Sequence, residues 1–195
     1  MAEASGLQRR FATALLDRCS AVPVGWGAVS LILCAALPLS LAWPARPLLL
    51  WNASPSSPVG LYILSSPAGL RVGDMAVAWP PPRARRIAAA RSYLPLRVPL
   101  VKRVAAVAGD QVCAIGSRIL IAGRAVALRR AGDPSGRPMP WWSGCRRLKP
   151  GEAFLLSPAR PLAFDGRYFG VTHAREIVGK ARLLWGKSAK GSGGG

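Results

Sequence analysis

Residues 98–128 read VPLVKRVAAVAGDQVCAIGSRILIAGRAVAL and alternate short apolar runs with pairs of residues that favour turns. The first and longest run ends at Gly109-Asp110, and the pairs Gly116-Ser117 and Ala122-Gly123 separate the runs that follow. Short apolar runs with glycine between them are typical of consecutive antiparallel strands joined by tight turns. The stretch therefore predicts a long strand at 98–108, followed by a tight β-meander with strands at 112–115, 118–121 and 124–128.

Runs of the same kind occur on both sides of this meander. They predict further strands at 60–64, 75–79, 154–156 and 177–185. Residues 80–91, PPPRARRIAAAR, predict a basic loop that leads into a short helix, and the Pro- and Gly-rich residues 131–150 predict an ordered loop. A series of short strands with turns between them favours a mainly β domain, either a sandwich or a barrel.

The composition of the 195 residues limits the class of protein. The length allows one globular domain with an appendage. A 51% apolar content with 18% charged residues is unlike a disordered chain or an ordinary soluble surface. The net charge of +19 comes from basic residues scattered between Arg9 and Lys190. This scatter favours a surface that faces an anionic lipid bilayer, so we expect no nucleic-acid partner.

A long uncharged stretch runs from Cys19 to Ala45 between Arg18 and Arg46. Because about 20 apolar residues span a bilayer as a helix, residues 21–45 predict one transmembrane anchor. The positive excess in residues 1–20 predicts that this segment is cytoplasmic. Residues 46–186 then form an exported domain, and residues 187–195 form a flexible tail. A signal peptide cleaved after residues 40–42, Ser-Leu-Ala, is the alternative.

Two of the four cysteines, Cys113 and Cys145, lie in the predicted β domain. Closely spaced Cys and His pairs, which a zinc site needs, do not occur, and we expect neither a metal nor a cofactor. In an oxidising compartment the two thiols can form a disulfide. The alternative is that they are unrelated thiols.

Lys102 lies within the long apolar strand predicted at 98–108, before the meander. Alternate side chains of a strand share a face, so Lys102 lies with Leu100 and Val104, while Arg103 lies on the other face. Burial among aliphatic side chains lowers the pKa of a lysine, and a neutral amine can take the proton of a serine hydroxyl. The alternative is an edge-strand lysine whose ammonium reaches solvent.

A cluster of serines and prolines follows the predicted anchor in residues 51–62, WNASPSSPVGLY. The prolines restrict the backbone, which favours one hydroxyl held in a fixed direction over a flexible linker.

Three segments together resemble a known enzyme family. They are residues 52–62, NASPSSPVGLY, residues 101–110, VKRVAAVAGD, and residues 164–170, FDGRYFG. In this order they resemble the serine–lysine signal peptidases, and more closely the conjugative-transfer branch of TraF-type pilin-processing peptidases. The resemblance implies a signal-peptidase-like β-barrel or sandwich domain with serine endopeptidase activity. It also implies a single-pass protein of the bacterial inner membrane, with its catalytic domain on the periplasmic side.

The resemblance also assigns roles to individual residues. It implies that Ser56 is the nucleophile, with Ser57 as the alternative register, and that Lys102 is the general base. Ser54 falls where a hydroxyl helps to hold the oxyanion beside the backbone N–H of Ser56. Asp165 matches the aspartate of the third motif, which makes it a candidate third catalytic or supporting residue that pairs with Arg167 or orients the surroundings of the lysine. The alternative is a structural turn residue.

Two positions depart from the family pattern. Gly166 replaces the usual serine, and Ala163 stands where relatives often carry a serine able to hydrogen-bond the lysine. The groups that support Lys102 are therefore expected to differ in this chain.

The expected substrate is a membrane-anchored preprotein, in particular a conjugative pilin precursor, with or without cyclisation after cleavage. A general type I signal peptidase is one alternative, and a non-catalytic basic protein of a DNA-transfer or secretion apparatus is another. A Ser–His–Asp hydrolase would have to use His173, the only histidine. The oligomeric state is not predicted.

Overall fold

The computed structural model of the protein describes residues 24–42 and 48–187. The chain divides into two compact units, Met1–Ala45 and Arg46–Gly195. In the first unit, helix α1 spans Val24–Ala42. Among the described residues, no helix combines the length and the apolar character that crossing a bilayer requires. The predicted cytoplasmic segment 1–20 and all but the first residue of the predicted tail lie outside the described residues.

The second unit is built mainly of β-strands, as the sequence predicts. Its helices are short: α2 is Pro82–Ala90, α3 is Gly166–Phe169, and a 3₁₀ turn spans Ala174–Glu176. The strands are β1 Leu49–Asn52, β2 Val59–Ser65, β3 Met75–Ala78, β4 Leu100–Ala106, β5 Gln111–Ile115, β6 Arg118–Ile121, β7 Arg124–Leu128, β8 Gly144–Arg147, β9 Glu152–Leu156, β10 Thr172–His173 and β11 Ile177–Lys187.

The strands form two antiparallel sheets. The larger sheet has seven strands in the order β1-β2-β11-β3-β4-β9-β10, and the smaller has four in the order β7-β6-β5-β8. Strands β5, β6 and β7 are the predicted meander, and β6 and β7 begin and end at the predicted residues. In the larger sheet, β11 pairs with β2 on one side and with β3 on the other. The last strand of the domain therefore lies inside the sheet.

The structure contains elements that the sequence pattern did not predict. Strand β8 has the sequence Gly-Cys-Arg-Arg, which lacks apolar alternation, and its pairing with β5 makes it a strand. Strand β1 lies directly before the serine-rich stretch, and the two-residue β10 pairs with β9. The region predicted to lead into a short helix is the nine-residue α2, which has a proline in its first turn, where the missing N–H is not needed.

The two sheets pack on a shared apolar core. Phe154 and Ala106 of the larger sheet join Val112 and Ile119 of the smaller sheet in one buried cluster. A second cluster, which includes Val104 and Leu155, lies within the larger sheet. Burial of such side chains is the main source of stability for the domain, and it fixes β4 and β9 side by side.

Two glycines allow β2 and β11 to approach closely at a bulge. Gly60 and Gly186 are paired, with φ angles of +155° and +149°. A Cβ atom on Gly60 would lie 2.8 Å from the Cα atom of Gly186, and a Cβ atom on Gly186 would meet the backbone of Gly60 in the same way. Glycine is therefore required at both positions, and this contact holds the first residues of β2 against β11.

Candidate active site

The serine-rich loop, residues 53–58, connects β1 to β2 and is held by two polar side chains. The Asn52 amide donates to the backbone carbonyls of Ser54 at 3.0 Å and Pro58 at 2.9 Å, and its Oδ1 accepts the N–H of Ser54. Asn52 is buried, so these hydrogen bonds are shielded from water. The Tyr62 hydroxyl donates to the same Pro58 carbonyl at 2.7 Å. The loop therefore has a defined conformation despite its irregular backbone.

This loop brings Ser56 to Lys102. The Ser56 Oγ atom lies 2.7 Å from the Lys102 Nζ atom, which is hydrogen-bond distance. The neighbouring Ser57 is buried, and its hydroxyl donates to the Val101 carbonyl at 2.6 Å. Of the two serines that the motif leaves open, Ser56 is therefore the one that faces the amine.

Lys102 lies in the interior of the larger sheet and is 3% exposed. Burial lowers the pKa of its amine to about 8, against an ordinary value of 10.5. The negative charge of Asp165 raises this pKa and the positive charge of Arg167 lowers it, both by smaller amounts. Arg103, on the opposite face, is exposed and donates to the Gly73 carbonyl. The amine of Lys102 therefore loses its proton far more readily than that of a surface lysine.

Ser54 lies on the exposed side of the pair. Its Oγ atom is 2.9 Å from the Ser56 Oγ atom, and it accepts the backbone N–H of Ser56 at 3.4 Å. A second hydroxyl and a backbone N–H are thus close to the Ser56 oxygen. Such donors can stabilise negative charge that develops on a reacting carbonyl.

Asp165 is completely buried at the start of α3. Its carboxylate accepts hydrogen bonds from Arg167 Nε at 2.8 Å and Nη2 at 3.0 Å, and from the backbone N–H of Ser157 at 2.9 Å. It also accepts the Arg167 N–H as the helix N-cap. The structure therefore joins Asp165 to Arg167 in an ion pair, and the Asp165 charge acts on Lys102 without a hydrogen bond to it.

An open cleft of about 680 Å³ contains Ser54, Ser56 and Lys102. Its walls are largely apolar and come from the residues before β4, from the loop after β7 and from the segment before α3: Leu94, Pro95, Val98, Met139, Leu162 and Phe164. The open shape and apolar walls of the cleft suit an extended peptide. His173 does not line it, and its Nδ1 atom instead lies 3.2 Å from Glu152.

The sequence analysis did not predict a cluster of three polar side chains, Tyr93, Asp133 and Arg137, at this cleft wall. The Tyr93 hydroxyl donates to the Asp133 carboxylate, which also accepts a hydrogen bond from Arg137 Nε at 2.7 Å. Arg130 lines the cleft beside them. The sequence Asp-Pro-Ser-Gly at 133–136 indicates a turn, but Tyr93 lies 40 positions away, so no local signal reveals their contact.

Other predicted residues are also located by the structure. A disulfide joins Cys113 of β5 to Cys145 of β8, whose Cα atoms are 4.0 Å apart. At Gly166, a Cβ atom would lie 2.8 Å from the Leu155 carbonyl oxygen and 3.0 Å from the Phe154 ring. Close packing therefore accounts for glycine where the motif has serine.

Comparisons with known proteins agree with the family that the three motifs resemble. The family model described as "Signal peptidase, peptidase S26" matches residues 24–186. A relative from Escherichia coli, the plasmid transfer protein TraF, is 37% identical over 92 residues, which cover 44% of this chain and 51% of the relative. The chain thus spans about half the length of this curated relative. A crystal structure of a signal peptidase I from Enterococcus faecalis is 18% identical, with a TM-score of 0.34, over 59% of this chain and 98% of the other.

Proposed function

Because this chain belongs to the signal peptidase family, peptidase S26, we propose that it is a serine endopeptidase in which Ser56 is the nucleophile and Lys102 the general base. One observation carries the proposal: the Nζ atom of a buried lysine lies 2.7 Å from the Ser56 Oγ atom. The pKa of about 8 keeps a useful fraction of this amine neutral near neutral pH. Ser–Lys pairs are a recognised variant of serine-nucleophile catalysis.

Acylation requires that the amine of Lys102 be uncharged. Its lone pair takes the proton of the Ser56 hydroxyl as Oγ forms a bond to the carbonyl carbon of the scissile peptide. The resulting ammonium then gives that proton to the leaving amine, so the C–N bond breaks with balanced charge. The products are an ester on Ser56 and a released amine.

The developing oxyanion needs donors on the open side of Ser56. The Ser54 hydroxyl and the Ser56 backbone N–H are the groups nearest to that position. In the resting enzyme the N–H points at Ser54 Oγ over a long 3.4 Å contact. We propose that both groups turn their hydrogen bonds to the oxyanion in the transition state.

The acyl-enzyme is resolved by a second nucleophile. Water gives a linear product, whereas the amino terminus of the same substrate gives a cyclic one. In either case neutral Lys102 takes a proton from the attacking group and returns it to Ser56 as the ester bond breaks. Both outcomes use the same pair of residues.

We propose that the substrate is a membrane-anchored preprotein, most specifically a pilin precursor of a conjugative transfer apparatus. The similarity to a plasmid transfer protein supports this choice. The uncharged stretch from Cys19 to Ala45 supports a location at the periplasmic side of the inner membrane. Only 10 residues lie between Ala45 and Ser56, so a substrate anchored in the same bilayer would offer its cleavage site at a similar depth.

The test uses the full chain in detergent with a candidate conjugative prepilin, and intact-mass spectrometry of the product. We expect a shortened product with the unchanged enzyme and none with Ser56→Ala or Lys102→Ala. A product lighter by one water than the linear fragment identifies cyclisation. A general signal peptidase would also process an unrelated secretory preprotein in the same assay, which separates the two substrate classes.

The enzymatic proposal is wrong if both variants process the substrate at the unchanged rate. Tight, salt-sensitive binding to duplex DNA by a folded Ser56→Ala, Lys102→Ala double variant would instead favour the basic DNA-transfer component.

A further inference from the structure

Two buried hydroxyl oxygens lack a hydrogen-bond partner in the part of the chain that the structure describes. They are Ser157 Oγ, which follows β9, and Thr172 Oγ1 in β10. A buried unpaired polar group is costly to the fold, so few are kept without a reason. Their positions relative to the candidate site differ, and only Ser157 is near it.

The strand register places Ser157 across from Lys102. In the pairing of β4 with β9, Arg103 lies opposite Leu156 and Val104 lies opposite Leu155. Ser157 is the first residue after β9, and continuing this antiparallel register by one position from Arg103–Leu156 pairs it with Lys102. Val104 and Leu155 belong to the same core cluster. Because side chains alternate along a strand, Lys102 and Ser157 then share that face of the sheet.

The buried ion pair gives a second reason to locate Ser157 beside Lys102. Asp165 accepts the Ser157 backbone N–H at 2.9 Å, and Arg167 Nη2 donates to the Ser157 carbonyl at 3.0 Å. Both of these charged groups act on the Lys102 amine. Ser157 thus lies between the ion pair and β4, with its backbone fixed and its hydroxyl unused.

The hydrogen-bonding needs of the amine match this unused hydroxyl. A neutral amine has one lone pair and two N–H groups, and catalysis requires the lone pair to face Ser56. Within residues 24–42 and 48–187, the only hydrogen bond of Lys102 Nζ is to Ser56 Oγ. The N–H groups of the 3%-exposed lysine therefore need an acceptor. The unpaired Ser157 Oγ is the candidate acceptor, since a serine hydroxyl can rotate between staggered positions.

We propose that Ser157 is a positioning residue whose Oγ accepts an N–H of Lys102 and thereby aims the amine lone pair at Ser56. This inference rests on the proposed Ser56–Lys102 mechanism. The role is needed in this chain because Ala163, which lines the same cleft and stands where relatives often carry a serine, has no hydroxyl. The hydroxyl is supplied instead from the strand next to the lysine.

The test compares Ser157→Ala with Thr172→Val, which removes the other unpaired hydroxyl. Neither change breaks a hydrogen bond of the resting structure, so both variants should fold. We expect Ser157→Ala to lower kcat about tenfold, the effect of one hydrogen bond, with KM unchanged. We expect Thr172→Val to leave kcat and KM as they are.

The pH dependence separates positioning from packing. A hydrogen-bond acceptor on the Lys102 ammonium favours the charged form, so loss of the Ser157 hydroxyl should lower the pKa of Lys102. The acid limb of kcat/KM and the ¹⁵N-detected titration of Lys102 Nζ should both move to lower pH. Both variants keep the charged groups that act on the amine, Asp165 and Arg167, and those that line its cleft, Arg130 and Asp133. A change in the acid limb therefore reports the lost hydroxyl. Adding Ala163→Ser to Ser157→Ala should restore part of the lost kcat.

The outcomes for the role of Ser157 can be distinguished from the outcome for the proposed Ser56–Lys102 mechanism. Lower kcat with a shifted acid limb and rescue by Ala163→Ser supports the role of Ser157. Unchanged kcat, or lower kcat with an unchanged acid limb and Nζ titration, overturns it. If the unchanged enzyme needs neither Ser56 nor Lys102, the proposed function itself fails, and that outcome is seen before Ser157 is varied.

Discussion

The Ser57 hydroxyl donates to the carbonyl of Val101, the residue before Lys102, at 2.6 Å. This hydrogen bond ties the serine-rich loop to β4 and turns the side chain of Ser57 away from the amine. The neighbouring Ser56 is thereby left facing Lys102. Two adjacent serines thus have different tasks, one in attachment and one in contact with the amine.

Substitution of each serine separates these tasks. We expect Ser56→Ala to lower kcat by about 10,000-fold or more, as loss of a serine nucleophile does. Ser57→Ala should cost about 1 kcal/mol of unfolding free energy through the lost hydrogen bond, with activity kept within about tenfold. Peptide cleavage and urea unfolding measure the two effects. Equal loss of activity in both variants would contradict the assignment.

The pH dependence of kcat/KM tests the proposed role of Lys102 as the base. Activity should rise with pH through about 8, because the proposed base is the neutral amine. Rates measured from about pH 6 to about pH 9.5 test this expectation. His173→Ala is the control, since His173 lies against Glu152 rather than in the cleft. Loss of activity in this control equal to that of Lys102→Ala would assign the base to the histidine instead.

Lys102→Met should abolish activity and stabilise the fold. The pKa of Lys102 is about 8 in the folded protein and 10.5 ordinarily, and each pH unit corresponds to about 1.4 kcal/mol. Below pH 8 the folded state therefore carries a cost of about 3 kcal/mol for the buried charge. This cost disappears as pH rises from about 8 to 10.5.

Urea unfolding at several pH values measures this effect. The variant should exceed the unchanged protein in stability by up to about 3 kcal/mol at pH 7, and the difference should vanish above pH 10.5. A less stable variant at pH 7 would mean that Lys102 stabilises the fold, contrary to this account.

Ser54→Ala tests the oxyanion role of the second hydroxyl. We expect kcat to fall about 100-fold with little change in KM, because the donor acts mainly in the transition state. Ser66→Ala is a matched control, since Ser66 is also exposed and accepts a backbone N–H two residues later. Steady-state kinetics on a peptide substrate distinguishes a kcat effect from a binding effect. An increase in KM alone would make Ser54 a substrate contact.

Asp165→Asn should act mainly on stability. The change leaves the buried Arg167 guanidinium without its carboxylate, which costs about 3 to 5 kcal/mol. Because the Asp165 charge raises the pKa of Lys102, its removal should also move the acid limb of activity to lower pH. Urea unfolding and the pH–rate profile measure both effects. Loss of activity with unchanged stability would show that Asp165 has a direct catalytic task.

The parts of the site that lie on regular strands could be predicted in part from the sequence. Alternation along β4 puts Lys102 and Arg103 on opposite faces but leaves open whether the lysine is buried or lies on an edge strand, and the structure buries Lys102 in an interior strand. The motif resemblance favours Ser56 over Ser57, but side-chain periodicity cannot distinguish them, because both lie in an irregular loop. The Tyr93–Asp133 contact also escaped prediction, since it joins distant segments. Strand β8 carries no strand-like pattern and is defined by its partner.

Strand β11 has a consequence for when this protein can act. Strand β11 pairs with β2, which follows the serine loop, and on its other side with β3, which pairs with the lysine-bearing β4. It therefore connects the two parts of the sheet that carry Ser56 and Lys102. A ribosome must therefore pass residue 187 before the two halves of the sheet can join. An unfinished nascent chain can hold Ser56 and Lys102 but lacks the strand that joins their two ladders, so the proposed pair can form only after β11 has been synthesised.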